Sequence, residues 1–195
     1  MVELRERPVI LRPATTAEGS RCRVAERLGL CLTQVIARPG QERELARILG
    51  QKLPERPGTA MTIGDGTVMA LRPRDWLLVR HDPVGRRGGL AVDLRRRLDG
   101  VALVIDQSHG RVVLRLEGAA SRSVLQKGID IDLHPDQFGP GAAAQTGIAG
   151  MAVLVHAVAD EAFDLYGNRS FAESLLDWLL EAGREWGIVL EASGT

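Results

Sequence analysis

Aromatic residues are scarce in this chain of 195 residues, at 4% of positions, and Trp76 is the only one before residue 138. The first half therefore offers little on which a flat ring could stack. Lysine is scarcer still. Lys52 and Lys127 are the only two, and arginines spread along the chain make up the rest of the basic residues. Basic and acidic residues number 25 each, for a formal net charge of +0. That balance argues against a general nucleic-acid binder, which needs a cationic face to offset phosphates. No stretch approaches the ~20 apolar residues of a membrane span. The opening MVELRERPVILRP lacks the apolar run of a secretory leader. The expectation is a cytoplasmic protein with no membrane partner, whose two cysteines, Cys22 and Cys31, stay reduced.

The first 30 residues are arginine-rich and weakly patterned. They read as an N-terminal arm, with a short strand over Val9–Leu11. Residues 31–195 read as one domain built from two related halves, 31–100 and 101–190. In the first half, CLTQVIA (31–37) is a strand, and Leu45, Ile48, Leu49 and Leu53 recur at helical spacing over 41–53. Thr59–Ile63 and Thr67–Leu71 flank Gly-Asp-Gly, in which Asp-Gly suits a primed hairpin turn. DWLLV (75–79) is a further strand, and Leu90, Leu94 and Leu98 mark a helix. The second half repeats that order. Strands are expected at 102–106, 111–117, 142–146, 151–156 and 162–166. A helix is expected over 119–127, with Gly128 as its C-cap, and a last helix runs from Phe171 to about Trp186. TIGDGTVMAL (62–71) lies over TGIAGMAVLV (146–155), and DWLLV over AFDLY (162–166). The fold class is α+β: two units of mostly antiparallel sheet backed by helices.

DQSHG (106–110) sets Asp106, Ser108 and His109 within four positions. Neighbours in an extended segment point to opposite faces, and triads are assembled by the fold from separated residues. The segment reads as a turn between strands. His81, His109, His134 and His156 show none of the spacings of a zinc site. GPGAAAQTG (139–147) ends in no Gly-Lys-Ser/Thr, and RLEGAAS (115–121) has one glycine where a dinucleotide loop needs more. The catalytic, cofactor-binding and metal expectations for this chain are all none.

The final helix stands out. Ser170 followed by Glu173 forms a capping-box pattern. At about 100° per residue, Phe171, Leu175, Leu176, Trp178, Leu179, Leu180 and Trp186 fall within an arc of about 200°. The first-half helix shows a stripe of about 100°. Such a width fits either burial inside its own domain or a face turned to another polypeptide. Phe171, Leu175, Trp178, Leu179 and Trp186 are the candidate partner-facing residues. Glu173, Asp177 and Glu181 read as a solvated acidic ridge.

Five blocks in order now point to a family. They are DWLLV, DxSxxRVVLRLxG, VLxKGxxxDLHP, FxPGxxAQT and RSFAxSLxxWLxEA, from Asp75 to Ala182. Together they resemble the gamma subunit of heterotetrameric sarcosine oxidase, over about residues 30 to 187. The resemblance implies a fold similar to the folate-binding domain of aminomethyltransferases. It implies an assembly role with no cofactor in this chain, beside alpha, beta and delta subunits. The complex would hold FAD, FMN, NAD and zinc on those other subunits. It would oxidise sarcosine to glycine and pass the one-carbon unit to tetrahydrofolate. DQSHG would then be the family's Asp-x-Ser turn, and Asp132–Pro135 its Asp-Leu-His-Pro turn. Three other functions stay open: a subunit of a related N-methyl amino acid oxidoreductase, a stand-alone tetrahydrofolate-binding aminomethyltransferase-like protein, and a homo-oligomeric scaffold.

Overall fold

Strand pairing divides the chain after His109. The computed structural model describes residues 8–82 and 89–193. Of the described residues, one compact unit is Gly29–His109, and the other joins those from residue 8 to Leu28 with those from Gly110 onward.

The first unit is a five-stranded antiparallel sheet in the order β3-β4-β5-β2-β6. Its strands are β2 (Leu30–Ala37), β3 (Ala60–Ile63), β4 (Gly66–Arg72), β5 (Asp75–His81) and β6 (Ala102–Asp106). β2 and β5 are central and nearly fully buried, which is why LCLTQVIA and DWLLV read as apolar runs rather than alternating ones. Helices α1 (Glu42–Leu49) and α2 (Gly89–Arg97) set Leu45 and Leu94 against Val35, Val68, Leu78 and Val104. Each fully buried leucine contributes roughly 1.5–3 kcal/mol. The expected helix over 41–53 stops early, because Gly50 adopts the left-handed conformation and closes it with amide bonds to Arg47 and Ala46. Leu53 reaches the core from beyond that stop.

The second unit is a six-stranded sheet in the order β11-β1-β7-β10-β9-β8. These are β1 (Arg23–Glu26), β7 (Arg111–Glu117), β8 (Ala143–Ile148), β9 (Met151–Ala159), β10 (Ala162–Asn168) and β11 (Val189–Leu190). Only β1 and β11 run parallel. Helices α3 (Ser121–Gln126) and α4 (Ala172–Ala182) lie over its core.

The described part of the N-terminal segment is therefore not a loose arm. It supplies β1, antiparallel to β7, with Val24 fully buried. Val9–Leu11 is not a strand. The amides of Val9 and Ile10 donate to the buried Glu26 carboxylate at 3.0 and 2.9 Å, which satisfies that charge and carries Ile10 into the core. Residues 1–7 lie outside the described residues.

The two strand orders are the same order. β3, β4, β5, β2 and β6 correspond in turn to β8, β9, β10, β7 and β1. The flanking strand beside β2 comes after α2, whereas the one beside β7 comes from the start of the chain. That is why the division falls after residue 109 and not after 100. The sequence overlay of the hairpins is one residue out. The turns are Gly64–Asp65 and Ala149–Gly150. In the first turn Gly64, not the Asp-Gly pair, takes the positive φ. Gly66 is a strand residue whose missing side chain admits the Val79 carbonyl.

Candidate functional site

DQSHG is a turn held by its own side chains. The Asp106 carboxylate accepts the Ser108 amide at 2.9 Å and the Ser108 hydroxyl at 2.6 Å. The Ser108 oxygen also accepts the Leu32 amide at 3.0 Å. Ser108 is buried, its hydroxyl points at a carboxylate, and its neighbour His109 is exposed. A nucleophile needs its proton aimed at a base and an open path to substrate. This serine is buried with no open path, and its proton is held by the carboxylate that closes the turn and not by His109, so the trio is a strand connector.

The histidines are dispersed. His134 closes a second turn, in which its amide donates to Asp132 and its Nδ1 accepts the Asp136 amide at 3.3 Å. Among the described residues no three metal-ligating side chains cluster. Gly118, the single glycine of RLEGAAS, sits at φ 115°, where a side chain would strike the Arg21 carbonyl. It serves a chain crossing. Trp76 is buried, and its indole N–H donates to the Pro54 carbonyl at 2.8 Å.

The structure sorts the five partner-facing candidates. Leu175 and Leu179 are buried in the unit's own core and present nothing outward. Gly167 of β10 lies directly beneath Leu175, close enough that a Cβ there would sit 3.1 Å from its Cδ2. Trp178 and Trp186 are half-buried. The ring of Trp178 occupies the space that a Gly128 side chain would need. Gly128 is thus a packing glycine and not the expected C-cap, a position held by Lys127 in ordinary helical conformation. Lys127 lies 4.4 Å over the Trp186 ring. Its Nζ also donates to the Ala182 carbonyl at 2.7 Å and pairs with Glu185 at 2.5 Å, capping the end of α4. Phe171 alone of the five is clearly exposed, at 48%.

Three further expectations for this helix change. The capping box does not form, because Arg169–Phe171 makes a 3₁₀ turn and Phe171 becomes the N-cap without a side-chain bond. Glu173 instead pairs with Arg12 at 2.8 Å, and Asp177 takes the same guanidinium at 2.6 Å. Two members of the acidic ridge therefore anchor the N-terminal segment rather than facing bare solvent. Arg12 also holds the Asp177 carboxyl below the usual aspartate range. Finally, the helix ends at Ala182, and a 3₁₀ turn over Arg184–Trp186 follows. Gly183 there makes room for Ile188 as the chain returns to β11.

The sequence reading missed one cluster. Asp164 on β10 accepts a bidentate pair of bonds from Arg115 of β7, at 2.5 and 2.9 Å, and a third from Arg27 at 3.1 Å. Asp164 is buried and both arginines are partly so. His156 of β9 lies opposite Asp164 in the strand register. Its Nδ1 has no hydrogen-bond partner among the described residues. Burial pushes the imidazole below its ordinary value; Asp164 opposes that, and Arg115 and Arg27 add to it. The same burial raises the Tyr166 phenol. A charge in the middle of RVVLRLE and another in AFDLY were the available signals.

Comparison with known proteins completes the site. Residues 36–185 match the model of the sarcosine oxidase, gamma subunit family. The sarcosine oxidase subunit gamma of Arthrobacter sp. is 35% identical over 144 residues, covering 73% of this chain and 69% of that protein. The corresponding subunit from Corynebacterium sp. strain P-1 is 34% identical over the same shares. A chain of the heterotetrameric sarcosine oxidase from Corynebacterium sp. U-96, solved with pyrrole 2-carboxylate, superposes with TM-score 0.78 at 29% identity, covering 87% of each chain. The glycine cleavage system aminomethyltransferase T of Bartonella henselae superposes with TM-score 0.64 at 16% identity. That match covers 90% of this chain and 48% of the other, and it is a likeness of fold.

Proposed function

This chain belongs to the sarcosine oxidase gamma subunit family, and from that premise we propose that it is a non-catalytic assembly subunit of a heterotetrameric sarcosine oxidase. The observation that carries the reading is the match over 87% of both chains to a component of such an oxidase. The side chains that suggested chemistry are otherwise engaged. The Ser108 hydroxyl is bonded to Asp106, and the Trp76 ring is buried with its N–H on Pro54. The second of these does not favour a pterin site in the first unit. On this reading the alpha, beta and delta companions carry the FAD, FMN, NAD and zinc. They oxidise sarcosine to glycine and deliver the one-carbon unit to tetrahydrofolate. The setting is the cytoplasm, in keeping with the lack of any described helix long and apolar enough to cross a membrane.

Co-expression with the companion subunits of the same organism tests the proposal. The expected result is a stable complex that oxidises sarcosine, whose yield or half-life falls when this chain is left out. An isolated chain that binds tetrahydrofolate in calorimetry and turns over alone would overturn the reading in favour of a folate enzyme.

A further inference from the structure

Three arginines and one exposed leucine of the first unit gather beside β6. β6 is the edge strand of its sheet, and Leu103 on it is 57% exposed. A groove of about 720 Å³ runs past Leu103 between the ends of β2 and β6, the β4–β5 turn and α2. Arg38, Arg74 and Arg95 line it, with Asp99 as the one carboxylate of the lining.

The charges of this groove are poorly matched from within. Arg38 is exposed and makes no ion pair among the described residues. Arg95 donates to the Val104 carbonyl at 3.1 Å, a neutral acceptor. Arg74 comes no nearer than 3.9 Å to Glu42. By contrast Arg12, Arg23, Arg47 and Arg96 each hold a carboxylate within 3 Å.

Arg74 adds a second observation. It follows Pro73 at φ 66°, in the left-handed region that glycine adopts without strain. The Ala37 amide bonds its carbonyl at 2.8 Å and holds the turn. Such a backbone position in a non-glycine residue costs roughly 1–3 kcal/mol. A glycine would make this turn without that cost, so the arginine is carried here at some expense of stability.

Building on the subunit reading above, we propose that this groove docks an acidic segment of a companion subunit. Carboxylates of that segment sit on Arg38, Arg74 and Arg95, and an apolar side chain covers Leu103. Two groups on the outer edge of β6 are already bonded, the Ala102 amide to the Leu98 carbonyl and the Val104 carbonyl to Arg95, which interrupts the ladder an added strand would use. The proposed recognition is therefore by side chains.

The experiment measures affinity of the full chain for its companion subunits by surface-immobilised binding, with thermal unfolding of each variant alongside. Arg38→Glu, which removes no side-chain bond among the described residues, is expected to weaken binding by at least about tenfold. Arg38→Glu combined with Leu103→Asp should weaken it further. Wild-type affinity should fall steeply toward ~1 M salt, where the screening length is about 3 Å. Arg74→Gly separates the roles: the melting temperature should rise while affinity falls. Wild-type binding with unchanged affinity in all three variants would overturn this inference and leave the subunit reading standing. Binding of duplex DNA that Arg38→Glu abolishes, with subunit affinity unchanged, would also overturn it. Failure of the wild-type chain to bind any companion would instead sink the subunit reading and take this inference with it.

Discussion

Two sheets with one strand order carry different rows of side chains on the face away from their helices. In the first unit, strand register lines up Met69, Leu77 and Gln34. In the second, the matching positions hold His156, Asp164 and Arg115. The helices differ in the same sense. α2 buries Ala91 and Leu94 on a narrow stripe and shows its arginines to solvent, whereas α4 buries Ala172, Leu175, Leu176, Leu179 and Ala182. Arg12 ties the N-terminal segment across α4, and Ile188 packs at its end. The breadth of an apolar arc thus records how much of its own chain wraps a helix. Strand order is indifferent to whether a row is oily or ionic, provided every buried charge finds a partner.

Making the rows alike should do the most damage. Asp164→Leu copies Leu77 but strands Arg115 and Arg27 without their carboxylate. A loss of about 3–5 kcal/mol in urea unfolding is expected. The double change Arg115→Gln with Asp164→Leu copies the first unit more fully and should recover a large part of that loss. If the single and double variants lose the same amount, the ionic row is not a coupled unit.

His156 sharpens the contrast through pH. Its folded-state value lies below the ordinary 6.5 because burial disfavours the cation. Below about 6.5 the unfolded chain takes up a proton that the folded chain resists, so stability falls as pH drops from 7 toward 5. Asp164, Arg115 and Arg27 are the charged groups that bear on it. His156→Met, which copies Met69, should remove that slope, and unfolding midpoints at both pH values would show it. An unchanged slope would mean that another group carries it.

The helix ends supply a smaller effect. α2 closes on its own Arg95, Arg96 and Arg97, whereas α4 has no basic residue in its last turn and borrows Lys127. Lys127→Ala should cost about 1 kcal/mol through the lost cap, read in the same unfolding assay. Smallest of all, Arg12→Ala should leave global stability nearly unchanged. It should raise amide exchange at residues 9–15, because only the tie to α4 is cut. The Asp177 carboxyl is held below its ordinary value, so that tie contributes above about pH 4 and is lost in stronger acid. Exchange in wild type should then approach the variant's as pH falls.

Much of the fold was legible before any coordinates. Alternation, glycine punctuation and helical spacing give the strands from 31 to 166, the four helices and the pairing of two related units. Boundaries moved where glycines did unannounced work. Gly50 ended α1 early, Gly183 ended α4 early, and Gly128 made space for Trp178. The N-terminal strand was illegible because RVAE is four residues long and gains its burial only by pairing with β7, some 90 positions away. The candidate surface was half legible. The arc of α4 was visible, but a one-helix projection cannot distinguish a sheet of the same chain from another molecule. Burial at Leu175 and Leu179 assigned most of that arc to the chain itself.

Local chemistry along the chain decided which segments are strands, which are helices, and that no nucleophile–base pair could form between neighbours in DQSHG. Those outcomes depend on residues a few positions apart, whose spacing is fixed covalently. Only the tertiary structure decided that Glu26 would be satisfied by Val9 and Ile10, and that Asp164 would gather two arginines. It alone set Arg38, Arg74 and Arg95 around one leucine. Most of those contacts join different elements of the chain, and their energies exist only once the strands that carry them are in register.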